Sequence, residues 1–178
     1  MVMVVCVSYA QTKLDSLFDK ARQQNYRKEY AVAADLFVQA QQEALKAGDT
    51  ARYIQSLTAE GECYYMLELV AEIETVLEKA RYVYDKYSDR LGKTSKLLIL
   101  ESISKLEGSY YYCKTENDTA FYSKAENAYV NCLNLIEKIK KSSSIDDAEF
   151  AVNVHRELLS LYYKQKLYVK ACRFVNLT

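Results

Sequence analysis

Apolar residues recur at helical spacing along almost the whole chain. Tyr30, Ala33, Phe37 and Ala40 follow one another at intervals of three, four and three, which sets all four on one helical face. The same offsets return in Val70, Ile73, Leu77 and Ala80, in Tyr122, Ala125, Tyr129 and Cys132, and in Tyr168, Ala171, Val175 and Thr178. Each run has an upstream partner with its own shared face: Leu17, Ala21 and Gln24; Leu57, Gly61 and Tyr64; Ser104, Gly108 and Tyr111; His155, Leu159 and Tyr162. A face that mixes alanine or glycine with rings lets a second helix come close while the rings fill the gaps beside it. A lone helix cannot bury such a face, so its recurrence predicts stacked helical hairpins.

The periodic stretches predict helices over about residues 14–25 and 30–46, 50–67 and 71–87, 95–114 and 120–141, and 147–164 and 168–178. Gly48 stands where a helix C-terminus favours glycine, and Asp49 can cap the next helix. Residues 88–92 read as a turn and Ser142-Ser143-Ser144 as a polar linker. Asp146 with Glu149 resembles a capping box. Gly61 and Gly108 fall in mid-helix, where glycine costs about 1 kcal/mol relative to alanine. Close helix approach is the expected compensation.

These residues resemble the tetratricopeptide repeat, a helix–turn–helix unit of about 34 residues with a small residue midway along its first helix and an Ala…Phe…Ala run on its second. Gly61 and Gly108 match the first feature; Ala33, Phe37 and Ala40 match the second, with Tyr30 as the preceding aromatic. The resemblance covers roughly residues 12 to 178. The family's tryptophan and closing proline are absent, Ile73 replaces an alanine, and Val175 and Thr178 degrade the last copy. Corresponding positions lie roughly 40 to 47 residues apart, and an insertion falls around Glu116 to Thr119. Wider spacing is similar to the long-helix variant of many bacterial regulators. HEAT and armadillo repeats share that period, but the Gly/Ala/Tyr/Phe offsets favour the tetratricopeptide.

The resemblance implies an all-α fold: a right-handed α-α superhelix, or solenoid, of about four hairpins, the last one incomplete. Its domain would span residues 11–178, with units of about 14–47, 54–87, 101–141 and 147–178. Ala21, Ala33, Phe37, Ala40, Gly61, Ala80, Gly108, Ala125 and Ala171 are the expected repeat-packing residues.

Composition narrows the function. Lys+Arg and Asp+Glu are both 24, for a net charge of zero, which lacks the basic excess of a nucleic-acid binder. There is no proline, which favours long helices. Seventeen tyrosines offer apolar rings with wet tips, suited both to packing and to binding surfaces. His155 is the sole histidine; it falls on the inward set of its helix and reads as a packed core residue. Cys6, Cys63, Cys113, Cys132 and Cys172 contain no C-x-x-C and read as small buried thiols, with no disulfide pair to name. Neither a phosphate-binding glycine loop nor a Gly-x-Ser-x-Gly elbow occurs. Glu60 and Glu62, two apart on a helix, do not face one another. The expectation is a chain without catalytic residues, metal, cofactor or small-molecule substrate.

Residues 1–10 (MVMVVCVSYA) hold a short apolar run followed by Ser8-Tyr9-Ala10, a small-residue cleavage pattern. They read as the tail of a secretory signal cut between Ala10 and Gln11, which implies export, in a bacterium to the periplasm. The run lacks a positive n-region, so a frayed apolar terminus in a cytoplasmic protein stays open. A lipid anchor at Cys6 is disfavoured by the bulky Val5 before it.

In tetratricopeptide arrays the first helices line a concave groove. By that resemblance an inner row reads Phe18, Thr58, Lys105 and Arg156, and a second row Asn25, Tyr65, Tyr112 and Tyr163, with Arg22, Glu62, Ser109 and Ser160 between. Phe18, Arg22, Tyr65, Lys105, Tyr112, Arg156 and Tyr163 are the candidate partner-binding residues. Tyrosines beside Lys105 and Arg156 would suit a peptide with aromatic or acidic side chains; packing between helices is the alternative role for the rings. The family's carboxylate clamp is not reproduced, because Phe18 and Arg22 stand at two of its positions. Two functions follow as expectations. One is a non-enzymatic protein-binding scaffold. The other is the sensory or docking front of a larger bacterial signalling protein, such as a histidine kinase, a helix-turn-helix regulator or a caspase-like protease. A solenoid needs a polar end cap, so the chain reads as part of something longer, or as self-associating through its open end.

Overall fold

The computed structural model describes the backbone of residues 2–143 and 148–175, and the side chains of residues 12–143 and 148–172. Among the described residues eight α-helices follow in order: α1 (Val2–Tyr26), α2 (Tyr30–Ala47), α3 (Thr50–Met66), α4 (Val70–Tyr87), α5 (Lys93–Lys114), α6 (Phe121–Ser142), α7 (Ala148–Lys164) and α8 (Tyr168–Val175). A short 3₁₀ turn, Ser88–Arg90, follows α4. Among the described residues there is no strand. Predicted bounds are met within a few residues except at α1, which begins at Val2 because the run before Leu14 carries neither proline nor glycine to stop a helix. Asp146, the side chain of Val175 and Thr178 lie outside the described residues, as do the side chains of Cys6, Ala10 and Gln11.

The chain forms two compact units, Met1–Ile99 and Leu100–Thr178, with the division inside α5.

In unit 1 the repeated small-and-ring face is buried. Ala33, Phe37 and Ala40 on α2 and Ile73, Leu77 and Ala80 on α4 are all buried, and so are Ala21 on α1 and Gly61 on α3. The leading residues Tyr30 and Val70 sit at the half-buried rim. The Gln41 amide donates to Glu60 Oε2 at 2.5 Å, and the Tyr64 hydroxyl donates to Glu60 Oε1 at 2.8 Å. That pairing satisfies a carboxylate taken largely out of water. Gly48 ends α2 in the left-handed conformation (φ 67°), and the Asp49 carboxylate accepts the Arg52 N–H at 3.0 Å, as the sequence predicts.

In unit 2 the α5–α6 crossing is set by Gly108. A Cβ there would meet Tyr129 Cε1 at 2.4 Å and Cδ1 at 2.5 Å, and Tyr129 is fully buried. The missing side chain is therefore the space the ring occupies. Nearby, the Asn131 amide donates to Ser104 Oγ at 2.8 Å. Ala125, Cys132, Ile136, Val154, Leu158, Leu161, Tyr162 and Ala171 complete this core with Tyr129. The Tyr162 hydroxyl donates to Glu126 Oε1 at 3.0 Å, and Lys170 of α8 ion-pairs with the same carboxylate.

Two expectations are corrected. His155 is half-buried rather than core, its Nδ1 2.7 Å from the Ala151 carbonyl; the inward stripe of α7 passes one residue earlier, through Val154, Leu158 and Leu161. Cys63 and Cys132 are buried, but Cys113 is half-buried and Cys172 exposed, and none of the four is in a disulfide.

Three hairpin turns share one backbone. After α1, α3 and α7, the residues Lys28 (φ 63°), Glu68 (φ 60°) and Lys166 (φ 59°) take the left-handed conformation. The following N–H groups of Glu29, Leu69 and Leu167 return to the carbonyls of Gln24, Tyr64 and Tyr162 at 2.9, 3.0 and 2.9 Å. This is the Schellman-type closure of a helix C-terminus. The α5–α6 turn carries the expected insertion and closes differently: Asp118 Oδ1 accepts the Ala120 N–H at 2.8 Å.

Candidate functional site

In unit 2, helices α5 and α7 lie side by side and run the same way. Lys105 Nζ lies 5.6 Å from the centre of the Phe150 ring, the Tyr112 hydroxyl 3.0 Å from Ser160 Oγ, and Lys164 Nζ 3.3 Å from Glu116 Oε1. The partners advance together along both helices, which is a parallel register. Helix α6 pairs antiparallel with α5, through Ser104–Asn131 and Gly108–Tyr129.

Lys105, Ser109 and Tyr112 share a face of α5 by their spacing of four and three. Ser109 is buried, and its hydroxyl donates to the Lys105 carbonyl at 3.3 Å. Lys105 and Tyr112 are half-buried. On α7 the stripe Arg156, Ser160, Tyr163 and Lys164 faces the same way by the same rule. Lys164 Nζ sits 4.6 Å from the centre of the Tyr112 ring, within cation–π range. Arg156 is exposed and Tyr163 is 59% exposed. The Tyr163 ring meets Tyr168 of α8 edge-on, 5.8 Å away.

The structure thus brings Tyr112 to Ser160, both of them groove positions in the sequence reading. It adds Phe150 and Lys164, which that reading missed. Lys164 could have been found as the residue four beyond Ser160, on the same face.

Unit 1 places its candidates differently. Phe18 is buried at 5% exposure, edge-on to Phe37 with ring centres 5.8 Å apart, and the Arg52 guanidinium covers it at 4.9 Å. The ring acts in the core and offers no open surface. Thr58 is buried as well. Arg22 is exposed, its guanidinium 6.0 Å from the Phe18 ring centre, and Tyr65 is half-buried. Arg52, unremarked in the sequence, also bonds Asp15 Oδ1 at 3.2 Å, so it ties α3 to α1.

Among the described residues no group of three or more His, Cys, Asp or Glu side chains is placed to hold a metal ion. No helix among them is long and apolar enough to cross a membrane. No protein-family model matches the chain, and no curated protein matches it either.

Proposed function

We propose that this chain is a non-enzymatic scaffold of tetratricopeptide-type hairpins, and that the α5–α7 face holds a peptide or partner helix bearing acidic and aromatic side chains. The observation that supports this reading best is the placement of the half-buried Tyr112 ring between Ser160 and Lys164, with Lys105 further along the same face. The exposed Arg156 and Tyr163 extend it. A ligand carboxylate would take two parallel bonds from Arg156. Ligand rings would rest on tyrosines, which lose little conformational entropy on contact. The shared turn geometry at Lys28, Glu68 and Lys166 supports the repeat reading, and stacking of such hairpins into a right-handed superhelix is part of the proposal. Export is part of it too: mass spectrometry of the natural protein should find Gln11 at its N-terminus, and a retained Met1 would remove that element.

The binding reading is tested with a displayed random-peptide library panned on the immobilised chain. Enriched binders should carry Asp or Glu beside Phe, Tyr or Trp. Tyr112→Ala with Lys105→Glu should weaken them at least tenfold while circular dichroism stays helical. Unchanged binding in a folded double variant removes the face.

A further inference from the structure

Two of the matching hairpin turns carry apolar patches of opposite charge. At the α3–α4 turn, Met66, Leu67 and Leu69 are 49%, 36% and 39% exposed, with Glu68 and Glu72 exposed around them. Residues 62–78 contain five glutamates and no lysine or arginine. At the α7–α8 turn, Leu167, Tyr168 and Val169 are 40%, 54% and 68% exposed, with Lys166 and Lys170 exposed beside them. Residues 158–178 contain three lysines and one arginine and no acid. In a chain whose net charge is zero, the two signs are therefore segregated onto two apolar turns. Exposed apolar clusters rimmed by charge mark protein contacts.

We propose that these turns are the two halves of one contact between copies of this chain, the acidic α3–α4 turn of one copy seating on the basic α7–α8 turn of the next. Like turns cannot pair with each other, because glutamates would face glutamates or lysines lysines. Each acidic turn therefore needs the basic turn of another copy, and each basic turn an acidic one. Association uses one turn of each kind per contact and grows with concentration. Lys170 and Lys164 already have acidic partners within unit 2, so Lys166 is the cation that meets the incoming Glu68 or Glu72.

The equivalent backbones make the test clean. Glu68 and Lys166 both occupy left-handed positions of near-identical φ, so each turn already tolerates the kind of residue that an exchange would bring. Sedimentation velocity of the full chain, from about 5 to 500 μM, brackets the affinities of weak specific contacts. The average mass should rise above the 20.5 kDa of one chain at low salt, and the rise should shrink in about 0.5 M NaCl, where screening is short-ranged. Lys166→Glu alone, or Glu68→Lys alone, should raise the concentration needed for association at least tenfold. Mixing the two variants in equal amounts should restore it, since the unchanged α3–α4 turn of the Lys166→Glu chain can seat on the unchanged α7–α8 turn of the Glu68→Lys chain. Val169→Ser should weaken association without changing any charge, and so covers the case in which a charge reversal loses its helical circular dichroism. A chain that stays monomeric throughout, or association unaffected by either reversal, or no recovery on mixing, overturns the proposal.

Discussion

Gly108 is the position where a single methyl group decides most. In an exposed helix, glycine to alanine would stabilise by up to about 1 kcal/mol. Here the added carbon would lie 2.4 Å from a ring carbon of Tyr129, which has no exposed surface to retreat to. Overpacking of that kind costs about 1 to 3 kcal/mol, so Gly108→Ala should lower the urea midpoint. Tyr129→Leu in the same chain should recover part of the loss. Gly92, where a Cβ meets nothing within 4 Å, is the matched control and should change stability by under about 0.5 kcal/mol. Protonation is decided residue by residue as well. Burial first, and then a hydrogen bond to Glu60 or Glu126, push the hydroxyl pKa of Tyr64 and Tyr162 well above the ordinary tyrosine value. In the unfolded chain tyrosine loses its proton near pH 10, whereas these two keep theirs when folded. Above that pH the unfolded state binds fewer protons, so stability is retained up to about pH 10 and falls as pH rises further. Urea melts between about pH 9 and 11 should show this fall, and Tyr162→Phe should make it shallower.

At the scale of the element, helix C-termini carry the instructive contrast. Gly48 holds φ 67° without strain, so Gly48→Ala should cost about 1 kcal/mol. Lys28 holds nearly the same φ with a side chain, so Lys28→Gly should raise the thermal midpoint, by up to about 1 kcal/mol in stability. Gly48 was legible in the sequence as a helix stop. The turns at Lys28, Glu68 and Lys166 were not legible as left-handed, because charged residues stand where glycine or asparagine would have signalled them; only the break in periodicity located them. Helix existence and order were readable throughout, because the 3.6-residue pattern is repeated and no proline interrupts it. The register of α7 was not, since Val154/Leu158/Leu161 and His155/Leu159/Tyr162 both keep helical spacing and only packing chooses between them. The candidate face was legible in part. Repeat spacing singled out Lys105, Tyr112 and Ser160, but the same spacing put Phe18 in an open row, while Arg52 from the neighbouring helix closes over its ring.

At the scale of the whole molecule, the way stability is distributed follows from which helices touch. Within unit 1 contacts join α1 to α2, α2 to α3 and α3 to α4; within unit 2 they join α6 to α7 and α7 to α8. Contacts also reach one helix further, from α1 to α3 and from α5 to α7, but a packing this local can open in part. The Gly108–Tyr129 contact belongs to unit 2 alone. Gly108→Ala should therefore speed native-state amide exchange in α6 and α7 by about the factor its cost implies, tenfold for each 1.4 kcal/mol. Amides of α2 and α3, held by Ala33, Phe37, Ile54 and Leu57, should keep their exchange rates. Equal acceleration in every helix would mean that the chain opens only as a whole. The division inside α5 would then describe proximity and not stability, because a single cooperative transition passes a local loss on to every amide that needs global unfolding to exchange.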